Sequence, residues 1–257
     1  MFVAVGQRLH ARSAALLQSI ESGLPLIMRC WLIAALAGSA LRIATSPLHG
    51  RAPDLATLLP YILLVATPLV SMGLALRWFA DGDRQPQPTT RLARLGSWRS
   101  VSLSFARRHP LYGTTGFMVS LLVGMLLNVP IRGLEYLAAM PALAGPVPVW
   151  LSTLHTMMTL DVILLSSLYT IAFVAALRRV PSFPRLLVAI WAIDLAMQLL
   201  IAEAVANTPG LPAPVGVALH QFLDGNVHKV LISVALWLPY LLMSRRVNLT
   251  YRHRLPA

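Results

Sequence analysis

Residues 150–207 read WLSTLHTMMTLDVILLSSLYTIAFVAALRRVPSFPRLLVAIWAIDLAMQLLIAEAVAN. Two apolar runs, 150–177 and 186–206, flank the basic turn Arg178-Arg179-Val180-Pro181-Ser182-Phe183-Pro184-Arg185. Each run is long enough to cross a hydrocarbon core about 30 Å thick, for which a helix needs about 20 residues. Each also carries an aspartate near its middle, Asp161 and Asp194. A charged side chain there costs about 2.5–3.5 kcal/mol on insertion scales, so both acids demand a partner or a task.

The rest of the chain agrees with a membrane hairpin. Of 257 residues, 57% are hydrophobic and 12% charged, about half the charge of a soluble domain, and the mean hydropathy is +0.69. The formal charge of +12 comes from 20 arginines and Lys229, set mostly between apolar runs, so it reads as membrane topology and not as nucleic-acid binding. The arginine bias points to a bacterial source. The single cysteine, Cys30, excludes an intrachain disulfide, and no Cys/His spacing marks a metal or cofactor site.

Residues 1–21 lack the apolar core and cleavage site of a signal peptide. Phe2, Val5, Leu9, Leu16 and Ile20 recur at helical spacing beside Arg8 and Arg12, as in a helix lying on a membrane surface. Spans follow at 24–46, with Arg29 and Arg42 near its ends, and at 57–79, with Pro60 and Pro68 inside it. Residues 80–110 form a basic loop. Leu92, Leu95, Trp98, Val101 and Phe105 predict an amphipathic helix there, whose basic residues from Arg91 to Arg108 suit anionic lipids. A third span, 112–129, carries Gly116, Ser120, Gly124 and Asn128 on one face, a pattern for close helix packing. An outer loop, 130–148, holds Arg132 and Glu135 at pairing distance along a helix. A proline-rich loop at 207–216 and a last span at 227–244 precede a basic tail.

The sequence therefore predicts an all-α polytopic protein of six transmembrane helices with both termini cytoplasmic. With that threading sixteen basic residues lie inside and three outside, Arg51, Arg132 and Lys229, a strong positive-inside bias. The chain divides into an amphipathic segment (1–21), a transmembrane pair (22–79), a basic loop (80–110) and a four-helix membrane core with its tail (111–257). No internal repeat of the kind found in many transporters is present.

The end of the last span reads Trp237-Leu-Pro239-Tyr240-Leu-Leu-Met-Ser244-Arg-Arg246-Val247-Asn-Leu-Thr250. It resembles the closing W-x-P-Y-x-x-x-S-x-R-V-x-x-T signature of a family of small bacterial inner-membrane proteins, filed as domain of unknown function 2569. Arg178-Arg179 followed by Phe183-Pro184-Arg185-Leu186 resembles that family's R-x-F-P-x-L loop, with three residues in place of one before the phenylalanine. The resemblance covers about 112–251 and implies a four-helix core in a bacterial inner membrane, without any known activity or catalytic residues. The residues carry their own physics too. Pro239 kinks a helix, and Lys229, Ser233, Trp237, Tyr240 and Ser244 form one stripe along it.

Asp161 and Asp194 lie at matched depth, about 16–18 Å from the outer ends of their helices at ~1.5 Å per residue. Facing each other, they form a pair that cannot hold two charges in a low dielectric, the chemistry of proton-coupled transport. Gln198 shares a face with Asp194. His155 stands about a third of a turn away from Asp161, on a face with Thr159, Ser166 and Thr170. Arg42 and Glu203 are the candidate charge partners. No catalytic motif occurs: there is no H-E-x-x-H, G-x-S-x-G, P-loop or glycine fingerprint. The sequence reads best as a non-catalytic subunit, scaffold or assembly partner of a membrane complex, with a protein partner or a second copy beside it. The alternative is a small proton-coupled transporter or permease using Asp161, Asp194, Gln198 and His155.

Overall fold

The computed structural model describes residues 2–48, 52–89 and 96–257, and side chains from residue 11 onward. Arg51, Arg91, Leu92, Arg94 and Leu95 lie outside the described residues, as do the side chains of Phe2, Val5, Arg8 and Leu9. In chain order the elements are α1 (Phe2–Thr45), α2 (Leu55–Trp78), a 3-10 turn (Gly82–Arg84), β1 (Trp98–Ser100) and α3 (Leu103–Arg108). They continue with α4 (Met118–Ala139), α5 (Val149–Leu177), α6 (Phe183–Ala206), α7 (Ala213–Met243), α8 (Arg245–Arg252) and β2 (Arg254–Pro256). Six helices, α1 from Ala11 onward, α2, α4, α5, α6 and α7, are long and apolar enough to cross a bilayer. This is the make-up of a multi-pass membrane protein.

The quoted hairpin is the spine. α5 packs on α2, α4 and α6, and 67% of its most apolar window is buried, against 17% for α1 and 11% for α7. The flanking helices thus turn most of their apolar surface outward. The turn between α5 and α6 is closed by the chain itself. Arg179 adopts a left-handed conformation (φ 59°), Val180 N–H donates to Ala175 O at 2.9 Å and Arg179 N–H to Ala176 O at 3.1 Å, a Schellman-type cap. Its guanidinium lies 5.6 Å from the Tyr112 ring centroid.

Two apolar clusters fill the bundle. One, near the β-ribbon, centres on Phe173, Phe183, Leu187 and Tyr251. The other, towards the opposite end, centres on Tyr61, Tyr136, Met158 and Ile201. Along α5, Asp161 lies between Met158 and Val162 of the second cluster, and along α6, Asp194 lies between Trp191 and Met197 of the first.

Four boundaries depart from the sequence reading. The amphipathic segment and first span are one helix, α1, continuous through Pro25, because Leu17, Ile20 and Leu24 all enter the core. The predicted helix over 92–105 is replaced at Trp98–Ser100 by a strand, antiparallel to Arg254–Pro256. Gly96, at φ 80°, favours the turn into it, and Arg254 lies over the Trp98 ring at 5.2 Å. The basic tail is accordingly ordered as α8 and β2. α7 begins well before the predicted last span, with Pro214 in its first turn, where a missing N–H costs nothing.

The fourth departure positions the site. The third span does not end at Val129; α4 starts later, at Met118, and runs through Pro130 to Ala139. Gly133 lets it lie against α1, since a Cβ there would meet the Trp31 ring at 2.9 Å. Arg132, about 100° away around the helix, is thereby directed to the α5 and α6 side. The small-residue face turns out otherwise than expected: Gly116 precedes α4, and Ser120 and Gly124 are exposed.

Candidate ion-network site

Three helices converge on one guanidinium. Arg132 Nη1 donates to Asp161 Oδ2 at 2.7 Å, and Nη2 donates to Asp194 Oδ1 and Oδ2 at 2.9 and 2.8 Å. Asp194 is 0% exposed and Asp161 4%. Charge-assisted bonds of this length are the strong kind, and they are what lets two carboxylates sit in the middle of apolar helices.

Helical spacing supplies the rest of the site. Tyr169, eight residues after Asp161, donates its O–H to Asp194 Oδ2 at 3.0 Å. Gln198, one turn after Asp194, donates to Asp161 Oδ1 at 3.2 Å and to Asp194 Oδ1 at 3.4 Å. Its own oxygen accepts from Asn226 of α7 at 3.2 Å. Asn226 Oδ1 in turn accepts from Lys229 at 3.2 Å, and Lys229 pairs with Glu135 of α4. A chain of polar contacts therefore runs from the buried aspartates to the half-exposed edge of α7.

A cleft of about 70 Å³ lies between α4, α6 and α7, with Asn128, Arg132, Asp194, Asn226, Lys229 and Ser233 on its walls. It has room for one or two waters. Arg132 Nε and Asn128 Oδ1 are buried without a partner among the described residues, so water in the cleft would have groups to bind. No cluster of three metal-ligating side chains occurs among the described residues.

The predicted residues divide into two groups. Asp161, Asp194 and Gln198 come together as one site. His155 does not join them: its ring packs edge-on to Tyr136, 6.3 Å between centroids, and Thr159 bonds to Tyr136 OH at 2.8 Å. Arg42 is not the counter-ion; it donates to the carbonyl oxygens of Met140 (2.8 Å) and Ala138 (3.5 Å), closing the C-terminal end of α4, where a cation is favoured. Glu203 is exposed. Arg132, read as a loop residue paired with Glu135, is the true partner of both acids, while Glu135 pairs with Lys229. Arg132, Tyr169 and Asn226 are the members that sequence reasoning missed. Tyr169 was findable at its two-turn spacing from Asp161, and Arg132 one turn from Asn128.

The closing-motif residues work elsewhere. Phe117 packs on Trp237 and Tyr240 with ring centroids 4.9 and 5.3 Å apart. Past the kink position Pro239, Ser244 Oγ caps α8 by accepting from Val247 N–H at 3.5 Å. Arg246 donates to Thr115 Oγ1 at 2.7 Å, and Thr250 Oγ1 accepts from Gly113 N–H at 3.0 Å. Together they fasten the α7–α8 end to the segment that leads into α4. No protein-family model matches the chain, and no curated protein or solved structure is detectably similar to it.

Proposed function

We propose that this chain is a small carrier of the bacterial inner membrane, not an enzyme, whose working centre is the Arg132–Asp161–Asp194 network. The observation that carries the reading is the charge balance of the buried network beside the cleft. One guanidinium stands against two carboxylates, and the nearby Lys229–Glu135 pair is neutral by itself. In a low dielectric the remaining negative charge needs a mobile cation, and a proton is the smallest one that the cleft admits. Proton uptake would loosen one carboxylate from Arg132 and so couple protonation to the relative positions of α4, α5 and α6.

This reading takes both termini to be cytoplasmic. With Arg132 withdrawn into the network, the outer loops keep only Arg51 and the edge residue Lys229 against sixteen inner basic residues, which strengthens the orientation. The likeness to the four-helix family fits as well, since every residue of the network belongs to α4–α7. The test is proton movement in proteoliposomes holding a pH-sensitive dye, challenged with a panel of cationic and zwitterionic solutes. Solute-dependent proton flux lost in Asp161→Asn and Asp194→Asn supports the carrier; no flux with any solute, or flux unchanged in both variants, removes it.

A second reading, a subunit or scaffold of a membrane complex, draws on the outward apolar faces of α1 and α7 and on the exposed Ser120 and Gly124 of α4. Purification in mild detergent separates the two. A stoichiometric membrane-protein partner favours the subunit, and a monodisperse, partner-free chain favours the carrier.

A further inference from the structure

At the end of the bundle that carries the β-ribbon, a pocket of about 210 Å³ lies among β1, β2, α8 and the turn before α6. Among the described residues its walls hold three guanidinium groups, those of Arg185, Arg252 and Arg254, and no carboxylate. Arg252 Nη1 and Arg254 Nε both donate to a single neutral acceptor, Asn248 Oδ1, at 3.0 and 2.7 Å. Arg252 Nη2 is buried with no acceptor among the described residues.

His253 adds a second orphan donor. Gln87 Nε2 faces the carbonyl oxygen of Tyr251 at 3.2 Å and His253 Nδ1 at 3.1 Å. An amide nitrogen can only donate, so Nδ1 is the acceptor and the neutral ring carries its proton on Nε2. That nitrogen too is buried without a partner among the described residues. Such clustering of like charge is costly. Burial, then the charges of Arg254 and Arg185, push the Arg252 guanidinium down to about 10. Two buried donors without acceptors among the described residues, on Arg252 and His253, beside the further positive charge of Arg185 in one pocket, call for an anion.

We propose that this pocket binds an oxyanion of the phosphate class, with Arg185, Arg252 and Arg254 supplying the charge and Arg252 Nη2 and His253 Nε2 donating to its oxygens. At about 210 Å³ it is smaller than the ~300–1,000 Å³ of pockets for drug-sized ligands. It therefore suits a free phosphate group or the phosphate of a lipid headgroup. The proposal is independent of the carrier reading, because it shares no residue with the ion network.

Thermal unfolding of the full chain in neutral detergent tests it, with inorganic phosphate against chloride at matched ionic strength. A saturable rise of the midpoint with phosphate alone is the expected result. Arg252→Gln is expected to weaken the response by about tenfold or more, as for a charged hydrogen bond. Ser100 is exposed on β1 and lines the pocket. Ser100→Glu places a carboxylate among the guanidiniums without disturbing the core, and is expected to abolish the response. It decides the matter if Arg252→Gln does not fold. Nanodiscs of phosphatidylglycerol against phosphatidylcholine, without phosphate, form the second arm. Protection by phosphatidylglycerol alone, lost in Ser100→Glu, makes the source a headgroup. Equal effects of phosphate and chloride together with equal effects of the two lipids overturn the proposal, as does a response unchanged in Ser100→Glu.

Discussion

Arg132 and Asp194 meet through one nitrogen and two oxygens: Nη2 lies 2.9 Å from Oδ1 and 2.8 Å from Oδ2. The other nitrogen is committed to Asp161 at 2.7 Å. One side chain of α4 thereby ties α5 to α6 in the middle of the bundle, and α4 cannot leave without stranding two buried acids.

Removing the cation should therefore cost more than removing the whole network. Arg132→Met is expected to destabilise by about 3–5 kcal/mol, the range for breaking a buried pair from one side. Adding Asp161→Asn and Asp194→Asn to it should recover most of that loss, because no uncompensated charge is left. Thermal or denaturant unfolding in detergent checks both values. A triple variant less stable than Arg132→Met would show that the network is held by packing instead of charge.

The outer pair should matter far less. Lys229 and Glu135 have side chains 61% and 31% exposed, so a double-mutant cycle is expected to give a coupling of about 0.2–1 kcal/mol. Exchanging the two residues should leave the fold intact.

These two expectations mark where the sequence was informative. Asp161, Asp194 and Gln198 stood out because a polar group in an apolar helix is conspicuous, and fixed spacing placed Gln198 beside Asp194. Arg132 was invisible as their partner because Pro130 and an arginine close together look like the end of a span. What carries the helix on is the neutralisation of that arginine by residues of two other helices, which local periodicity cannot report. The strand at Trp98–Ser100 escaped notice for the same reason: its partner is Arg254–Pro256 at the far end of the chain. The six apolar helices, by contrast, were set by composition and length alone, and so was the basic turn at Arg178–Arg179.

At the ribbon end, Thr250 should behave as a fastener. Its hydroxyl bonds the buried amide of Gly113 at 3.0 Å, so Thr250→Val is expected to cost about 1–3 kcal/mol by leaving that donor unmet. Faster hydrogen exchange at Gly113 is the measurement that localises the effect.

His253 gives this end a pH dependence of known sign. Burial lowers its pKa; Asp83 opposes this to a smaller extent, and Arg107 adds to the lowering. The unfolded chain thus takes up the proton first, near the ordinary value of about 6.5, and the folded chain only at lower pH. The stability that His253 contributes is complete above about 6.5 and is lost as the pH falls from there towards the folded value. His253 sits at φ 47°, a left-handed position that asparagine tolerates. His253→Asn should flatten the stability profile of the wild type between about pH 7.5 and 5.5 in unfolding experiments run in parallel.

The most direct test of the ion network is infrared difference spectroscopy of the reconstituted protein across a pH titration, with Asp161→Asn and Asp194→Asn as references. The account predicts one carboxyl C=O band of a buried acid that appears with uptake of a single proton and is altered or lost in each variant, because the two acids share one charge balance. A spectrum with no buried carboxyl titrating, or with two acids titrating independently of each other, would contradict it.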